Sequence, residues 1–103
     1  MTDLGQLNSQ IFSQHLHSKF HIKNSDGTSV VLSLIAVEER NESPKMELFF
    51  LRFLGPVAPR LPQQIHHMEH EALRNIELFL TAVGADPQGI EYEAVFHRFR
   101  KQS

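Results

Sequence analysis

The stretch MELFFLRFL, residues 46–54, decides the fold because it is apolar on both faces of an extended strand. Successive side chains of a strand point to opposite faces. The large apolar residues here are Phe49, Leu51 and Phe53 on one face and Leu48, Phe50 and Leu54 on the other. A strand that packs on one core alternates apolar with polar residues, so this strand requires cover on both sides. We therefore expect either a second layer over the sheet or a partner molecule that covers it.

Five further segments have the composition and alternation of strands. They are residues 19–23, 29–38, 64–69, 75–83 and 90–99. Residues 24–27 and 84–89 have the chemistry of short turns, whereas the proline-rich residues 55–62 indicate a connection over an edge or an end of the sheet. Six short strands at this spacing predict an all-β fold, a small antiparallel six-stranded meander that curls into a barrel. An open sandwich is the competing architecture.

A short amphipathic helix is predicted at about residues 8–17, with Asn8 or Ser9 as its N-cap. We expect it to pack on the barrel and to cover the second apolar face. The whole chain, residues 1–103, is predicted to form one domain that ends in a flexible basic tail at about residues 99–103.

Composition excludes several classes of function. The 103 residues include no cysteine, which excludes disulfides, thiol nucleophiles and thiolate metal sites. The net charge of −2, with acids and bases interspersed, argues against nucleic-acid binding, which requires a broad basic face. No segment has the length of a membrane span or the pattern of a signal peptide, so we expect a cytoplasmic protein that does not bind membranes.

Seven histidines are the most unusual feature of the composition. On a strand, His66, Met68 and His70 share one face. Two imidazoles on one face can bind a divalent metal if a third ligand converges on them. The residues considered for that third position are His97, His21 and Glu91. The competing interpretation is a set of solvated strand histidines, and no metal or other cofactor is predicted.

Arg52 is the only charged residue within the apolar residues 48–54. Its long side chain can extend along the surface to reach water, whereas a buried arginine requires a carboxylate partner. Glu69 is the partner that we expect in the second case. An Arg52–Glu69 ion pair and a solvated Arg52 are thus the two alternatives.

Four segments follow the sequence pattern of a known family. They are Phe50-Leu51-x-Phe53-x-Gly55-Pro56, Met68-Glu69-His70-x-x-Leu73, Glu77-Leu78-Phe79-Leu80-x-x-Val83-Gly84 and Gly89-x-x-Tyr92-Glu93-Ala94-Val95-Phe96. The pattern spans nearly the whole chain and resembles a small bacterial domain family of unassigned function. The resemblance implies a compact all-β domain, and an accessory role beside phage-tail-collar-like proteins. Because Glu69, His70 and Tyr92 match the family pattern, they join Arg52 as candidate binding residues.

These observations favour a non-enzymatic interaction or assembly module that binds a protein partner or a second copy of itself. The serines lack a Gly-x-Ser-x-Gly elbow, and the glycines are scattered at turns instead of forming a phosphate-binding loop. The alternative function is a small-molecule or metal-binding barrel. Its pocket, at the barrel mouth, is predicted to be lined by His66, His70 and Tyr92.

Overall fold

The computed structural model describes residues 7–24, 27–40 and 44–99. Its elements are helix α1 (Ser9–Ser13) and strands β1 (Lys19–Lys23), β2 (Ser29–Glu39), β3 (Met46–Gly55), β4 (Gln64–His70), β5 (Arg74–Asp86) and β6 (Gly89–Phe99). All six predicted strands are present, close to their predicted bounds. Parts of three segments lie outside the described residues. They are the predicted turn at residues 24–27, the loop after Arg40 and the predicted basic tail beyond Phe99.

Antiparallel pairing joins the six strands into a ring-like sheet with the order β1-β2-β3-β6-β5-β4, which confirms the predicted all-β class. The order consists of two three-stranded meanders, β1–β2–β3 and β4–β5–β6. They meet along the whole length of β3 and β6, from the pair Met46–Phe99 to the pair Gly55–Ile90. The second junction, between β1 and β4, has only the pairs His21–Glu69 and Ile22–Met68. Residues 56–63 connect the two meanders, so β3 and β4 lie on opposite sides of the ring.

The inner face of β3 forms the centre of the core. Phe49, Leu51 and Phe53 are fully buried, and the ring of Phe20 on β1 meets Phe53 edge to face with 5.2 Å between centroids. Full burial of a side chain of this size contributes about 1.5–3 kcal/mol. The opposite face of β3, which carries Leu48, Phe50 and Leu54, is half-buried. The inner apolar face of β3 therefore belongs to the core, and the outer apolar face does not.

Helix α1 is shorter than predicted because the chain after it is recruited into the sheet. The Asn8 side chain caps the helix by accepting a hydrogen bond from the Ile11 amide at 2.9 Å, as expected. The α-helical residues end at Ser13, however, not near residue 17. The His17 amide then donates to the Leu34 carbonyl of β2 at 2.7 Å, a bond that fixes the chain in the direction of β1.

The prediction that α1 covers the outer face of the sheet is wrong, because α1 packs on the inner face. Phe12 is fully buried, with ring centroids 6.2 Å from Phe49 and 5.6 Å from Phe96. The β5–β6 ladder ends at the pair Thr81–Glu93, so the last part of β6 pairs with β3 alone. Beyond that pair β6 has no paired residue of β5 beside it, and Phe12 of α1 packs against the inner ring of Phe96 in this part of the strand.

We expect Phe12→Ala to lower the free energy of unfolding by about 3–5 kcal/mol, because it removes a buried ring from between two other rings. Chemical denaturation measures the change. Leu16→Ala is the matched control, since Leu16 is exposed at 39% and belongs to the same segment. Equal losses in the two variants would show that α1 is not part of the core.

The absence of a side chain at Gly89 allows the ends of β6 and β3 to approach each other closely. Gly89 has φ 154°, and a Cβ atom there would lie 2.2 Å from the Gly55 carbonyl oxygen. A backbone atom cannot move aside as a flexible side chain can. We therefore expect Gly89→Ala to lower the free energy of unfolding by about 2 kcal/mol or more, as measured by denaturation.

Gly84→Ala provides the control for this substitution. Gly84 lies in the neighbouring strand β5, and the nearest atom to an added Cβ would be Glu91 Oε2 at an ordinary 3.8 Å. We expect a change of less than about 0.5 kcal/mol for Gly84→Ala, as for an ordinary exposed substitution. A Gly89→Ala variant as stable as Gly84→Ala would refute the close contact.

Candidate functional site

The predicted candidate residues lie in separate places around the ring. Arg52 is on the outer face of β3, and its Nη2 atom donates to Glu93 Oε2 at 3.0 Å across the β3–β6 ladder. Its Nη1 atom lies 3.5 Å from Glu91 Oε2. The three side chains remain partly exposed, so their attraction is screened and contributes about 1 kcal/mol or less. This cluster is an ion pair between neighbouring strands.

The predicted Arg52–Glu69 pair is wrong because the two residues lie on opposite strands of the ring. Glu69 is exposed on the outer face of β4, where it pairs in register with His21 of β1. Arg52 instead uses carboxylates of β6, the strand adjacent to its own. Sequence periodicity placed both side chains on outer faces without showing which strands are neighbours.

Tyr92 is buried in the core and anchors the connection between the two meanders. Its hydroxyl accepts a hydrogen bond from the Leu61 amide at 2.9 Å. Both residues are at least 97% buried, since 1% of Tyr92 and 3% of Leu61 is exposed. Tyr92 thus holds a loop in place and does not line an open pocket together with His70.

His66 is buried rather than solvated, contrary to the solvated-histidine interpretation. Its Nε2 atom lies 2.8 Å from the Pro62 carbonyl oxygen, an acceptor that requires a proton on Nε2. Together with the Tyr92 bond to Leu61, this contact fixes residues 61–62 at two successive points. His66 is therefore a second anchor of the same connection.

His70 lies at the end of β4 and caps the turn between β4 and β5. Its Nδ1 atom accepts hydrogen bonds from the amides of Ala72 at 3.0 Å and Leu73 at 3.1 Å. Its Nε2 atom lies 2.8 Å from Ser18 Oγ. Because Nδ1 accepts twice, the proton of the neutral ring is on Nε2, which donates to Ser18. The imidazole thereby ties turn 71–73 to the segment that follows α1.

Burial lowers the pKa of His70 below its ordinary value of 6.5. His15 lowers this pKa further, and its ring centroid is 5.0 Å from that of His70. Glu71 acts in the opposite direction, and His21 adds a further lowering. The neutral ring is the form that accepts the two turn amides, so the environment and the hydrogen bonds favour the same protonation state.

His66 and His70 do not form one metal site. They are four residues apart on β4, which separates their Cα atoms by about 13 Å, and each ring bonds to different partners. Within residues 7–24, 27–40 and 44–99, no three histidine or acidic side chains are placed to hold a metal ion. The predicted third ligands are dispersed, since His97 lies on the outer side of β6 and Glu91 contacts Arg52.

Surface clefts adjoin the His70 turn. Two of them, with volumes of about 490 and 620 Å³, share His21, His70 and Glu71 in their walls. Acidic and basic groups alternate around them, so they do not select one charge of ligand. His66 borders a different cleft beside β1 and β4.

An outer apolar patch was not recognised as a site in the sequence. It consists of Ile65 on β4, Phe79 on β5 and Val95 on β6, with exposed fractions of 63%, 50% and 51%. Ile65 and Phe79 are a register pair. Phe79 and Val95 each lie two residues beyond the pair Thr81–Glu93, on the same outer face. The signal in the sequence was the two-sided apolar pattern of β5, in which Phe79 falls on the face opposite Leu78 and Leu80.

The fold and these sites define a small all-β domain, a ring-like sheet with a short helix packed inside one end. The chain belongs to the family described as "Domain of unknown function (DUF6916)", whose model matches residues 7–96. The match confirms the predicted membership of a family with unassigned function. The association with phage-tail-collar-like proteins remains a prediction. No curated protein and no solved structure matches the chain.

Helix α1 is the one helix among the described residues, and it is far too short to cross a membrane.

The His70 cap predicts that the domain loses stability in mild acid. The folded state holds this pKa below 6.5, so the unfolded chain takes up the proton more readily. The contribution of His70 is therefore complete above pH 6.5 and decreases as the pH falls below that value. Urea denaturation at a series of pH values measures this slope.

His70→Asn is the informative variant, because an asparagine oxygen still accepts the turn amides but does not titrate. We expect the free energy of unfolding of His70→Asn to fall less steeply below pH 6.5 than that of the wild type. His67→Asn, which removes an exposed imidazole from the same strand, should retain the wild-type slope. Identical slopes for wild type and His70→Asn would contradict the assignment.

Proposed function

We propose that the domain is a non-enzymatic interaction module that self-associates through the outer apolar patch. The observation that carries the proposal is the exposure of the register pair Ile65 and Phe79, together with Val95 on the same outer face of the adjacent strand β6. Isolated exposed apolar residues are ordinary, whereas a contiguous group on a small domain marks an interaction surface. Phe79 stands at its centre, and a half-exposed aromatic ring is a typical anchor of protein interfaces.

Polar residues border the patch on both sides along the strands, as at protein interfaces with an apolar centre and a polar rim. On one side lie His67 and Glu77, which pair in register, together with His97. On the other side lie Thr81 and Glu93, which also pair in register. The half-buried Phe50 side chain of β3 lies outside this group, and the Arg40 guanidinium lies 5.5 Å from its ring centroid.

A second copy of the chain is the partner that this arrangement fits. A two-fold axis along the apolar row would set each patch residue against its own counterpart in the other copy. The same axis would exchange the two polar borders, so that His97 of one copy faces Glu93 of the other. The outer patch is therefore self-complementary in apolarity.

Light scattering over a range of protein concentrations tests the proposal. We expect the wild type to reach the mass of a dimer, and Phe79→Lys to weaken association at least about tenfold by placing a charge at the centre of the patch. Because Phe79 is half exposed, the monomer should retain its fold, which circular dichroism verifies.

Val57→Lys is the matched control, since Val57 is exposed at 58% in the connection after β3 and lies outside the patch. It should associate as the wild type does. A wild type that stays monomeric at high concentration, or a Phe79→Lys variant that associates unchanged, would refute self-association through this surface.

A further inference from the structure

Among the residues that the structure describes, the junction between β1 and β4 leaves part of β4 without a neighbouring strand. Residues 64–67 pair with β5 on one side, through Gln64–Leu80 to His67–Glu77. On the other side the β1–β4 ladder has only His21–Glu69 and Ile22–Met68, so it stops before residue 67. Strand β1 itself ends at Lys23. An exposed strand edge carries amide and carbonyl groups that can pair with another extended chain.

A cleft of about 490 Å³ lies at this edge, which we name the edge cleft. Its walls come from the end of β1, the start of β4 and the connection at residues 60–62. The charged residues in these walls are Lys23 and Arg60, and none of the described residues that line the cleft is acidic. In the part of the chain that the structure describes, neither the Lys23 nor the Arg60 side chain forms a hydrogen bond or an ion pair.

The connection that forms one wall is fixed before any ligand binds. The Tyr92 hydroxyl accepts a hydrogen bond from the Leu61 amide at 2.9 Å, and His66 Nε2 donates one to the Pro62 carbonyl at 2.8 Å. Ile22 and Leu61, which are buried, form an apolar floor. A preformed wall reduces the entropy that a ligand must lose on binding. Within residues 7–24, 27–40 and 44–99, the edge cleft therefore combines two unpartnered cations, an apolar floor and an unpaired strand edge.

We propose that the edge cleft binds an extended acidic segment of a partner protein. The segment adds as a strand beside residues 64–67, and its carboxylates bind Lys23 and Arg60. Main-chain pairing supplies affinity in strand addition, and the side-chain environment supplies the preference for sequence. Here two cations with no acidic neighbour among the described residues of the cleft select carboxylates, whereas the clefts beside His70, with mixed charges, do not. This inference concerns a different surface from the outer apolar patch and does not depend on self-association.

Two synthetic peptides test the proposal, one of alternating valine and glutamate and one of alternating valine and glutamine, both blocked at their ends. We expect the glutamate peptide to slow hydrogen exchange at alternate amides within residues 64–67, since only alternate amides of a strand face one edge. The glutamine peptide should bind at least about tenfold more weakly. Equal binding of the two peptides, or no slowing of exchange in β4, would overturn the proposal.

Charge-reversal variants locate the binding site. Arg60→Glu and Lys23→Glu should each weaken binding of the glutamate peptide at least about tenfold. Lys19→Glu is the matched control, because Lys19 lies on the same strand as Lys23 but bonds to Ser33 Oγ at 2.6 Å, outside the cleft. A loss as large in Lys19→Glu would indicate general electrostatic attraction and would overturn the assignment.

Phe79→Lys separates this proposal from self-association. Ile65 borders both the edge cleft and the outer apolar patch, whereas Phe79 belongs to the patch alone. Phe79→Lys should therefore bind the glutamate peptide as the wild type does, even though its self-association is weakened. Loss of peptide binding in this variant would place the peptide on the outer patch and overturn the edge-cleft site.

Discussion

The β3–β6 ladder is the interaction on which the rest of the structure depends. It pairs the strands along their full length and joins two meanders that otherwise meet only at the two residue pairs of β1 and β4. The close approach of Gly55 and Gly89 at one end, and the buried rings of Phe49 and Phe96 at the other, fix its register. A shift by one residue would turn the inner face of β3 toward solvent.

The unequal junctions explain where the ring is filled and where it is open. At the Met46–Phe99 end of the long ladder β6 has no paired residue of β5 beside it, and Phe12 packs on the inner face there, with Arg98 over the rings of Phe49 and Phe96. Arg98 also donates to the Leu7 carbonyl and to Glu47, so the helix segment is bound at both its apolar and its polar side. At the short β1–β4 junction none of the described elements fills the remaining edge of β4, and a cleft lies there.

Much of the fold could be predicted from the sequence because alternation and turn chemistry are local. The strands and the Asn8 cap were predicted close to their observed positions. Strand order could not be predicted, since alternation shows which face a side chain occupies but not which strand lies beside it. For that reason Glu69 was paired with Arg52 in place of Glu93. Burial of His66 was missed because its partner is a backbone carbonyl, which no side-chain pattern records.

Three of the candidate residues of the sequence, His66, His70 and Tyr92, hold the scaffold, and the candidate surfaces lie beside them. Tyr92 and His66 fix residues 61–62, and that fixed connection becomes a wall of the edge cleft. His70 caps the turn that leads into β5, the strand on which Phe79 is displayed. A buried polar group with all its hydrogen bonds satisfied is rigid, and a rigid support presents exposed groups at a defined spacing. The two proposed interaction surfaces accordingly consist of exposed residues outside the core, and buried polar residues hold the strands and the connection beside them in position.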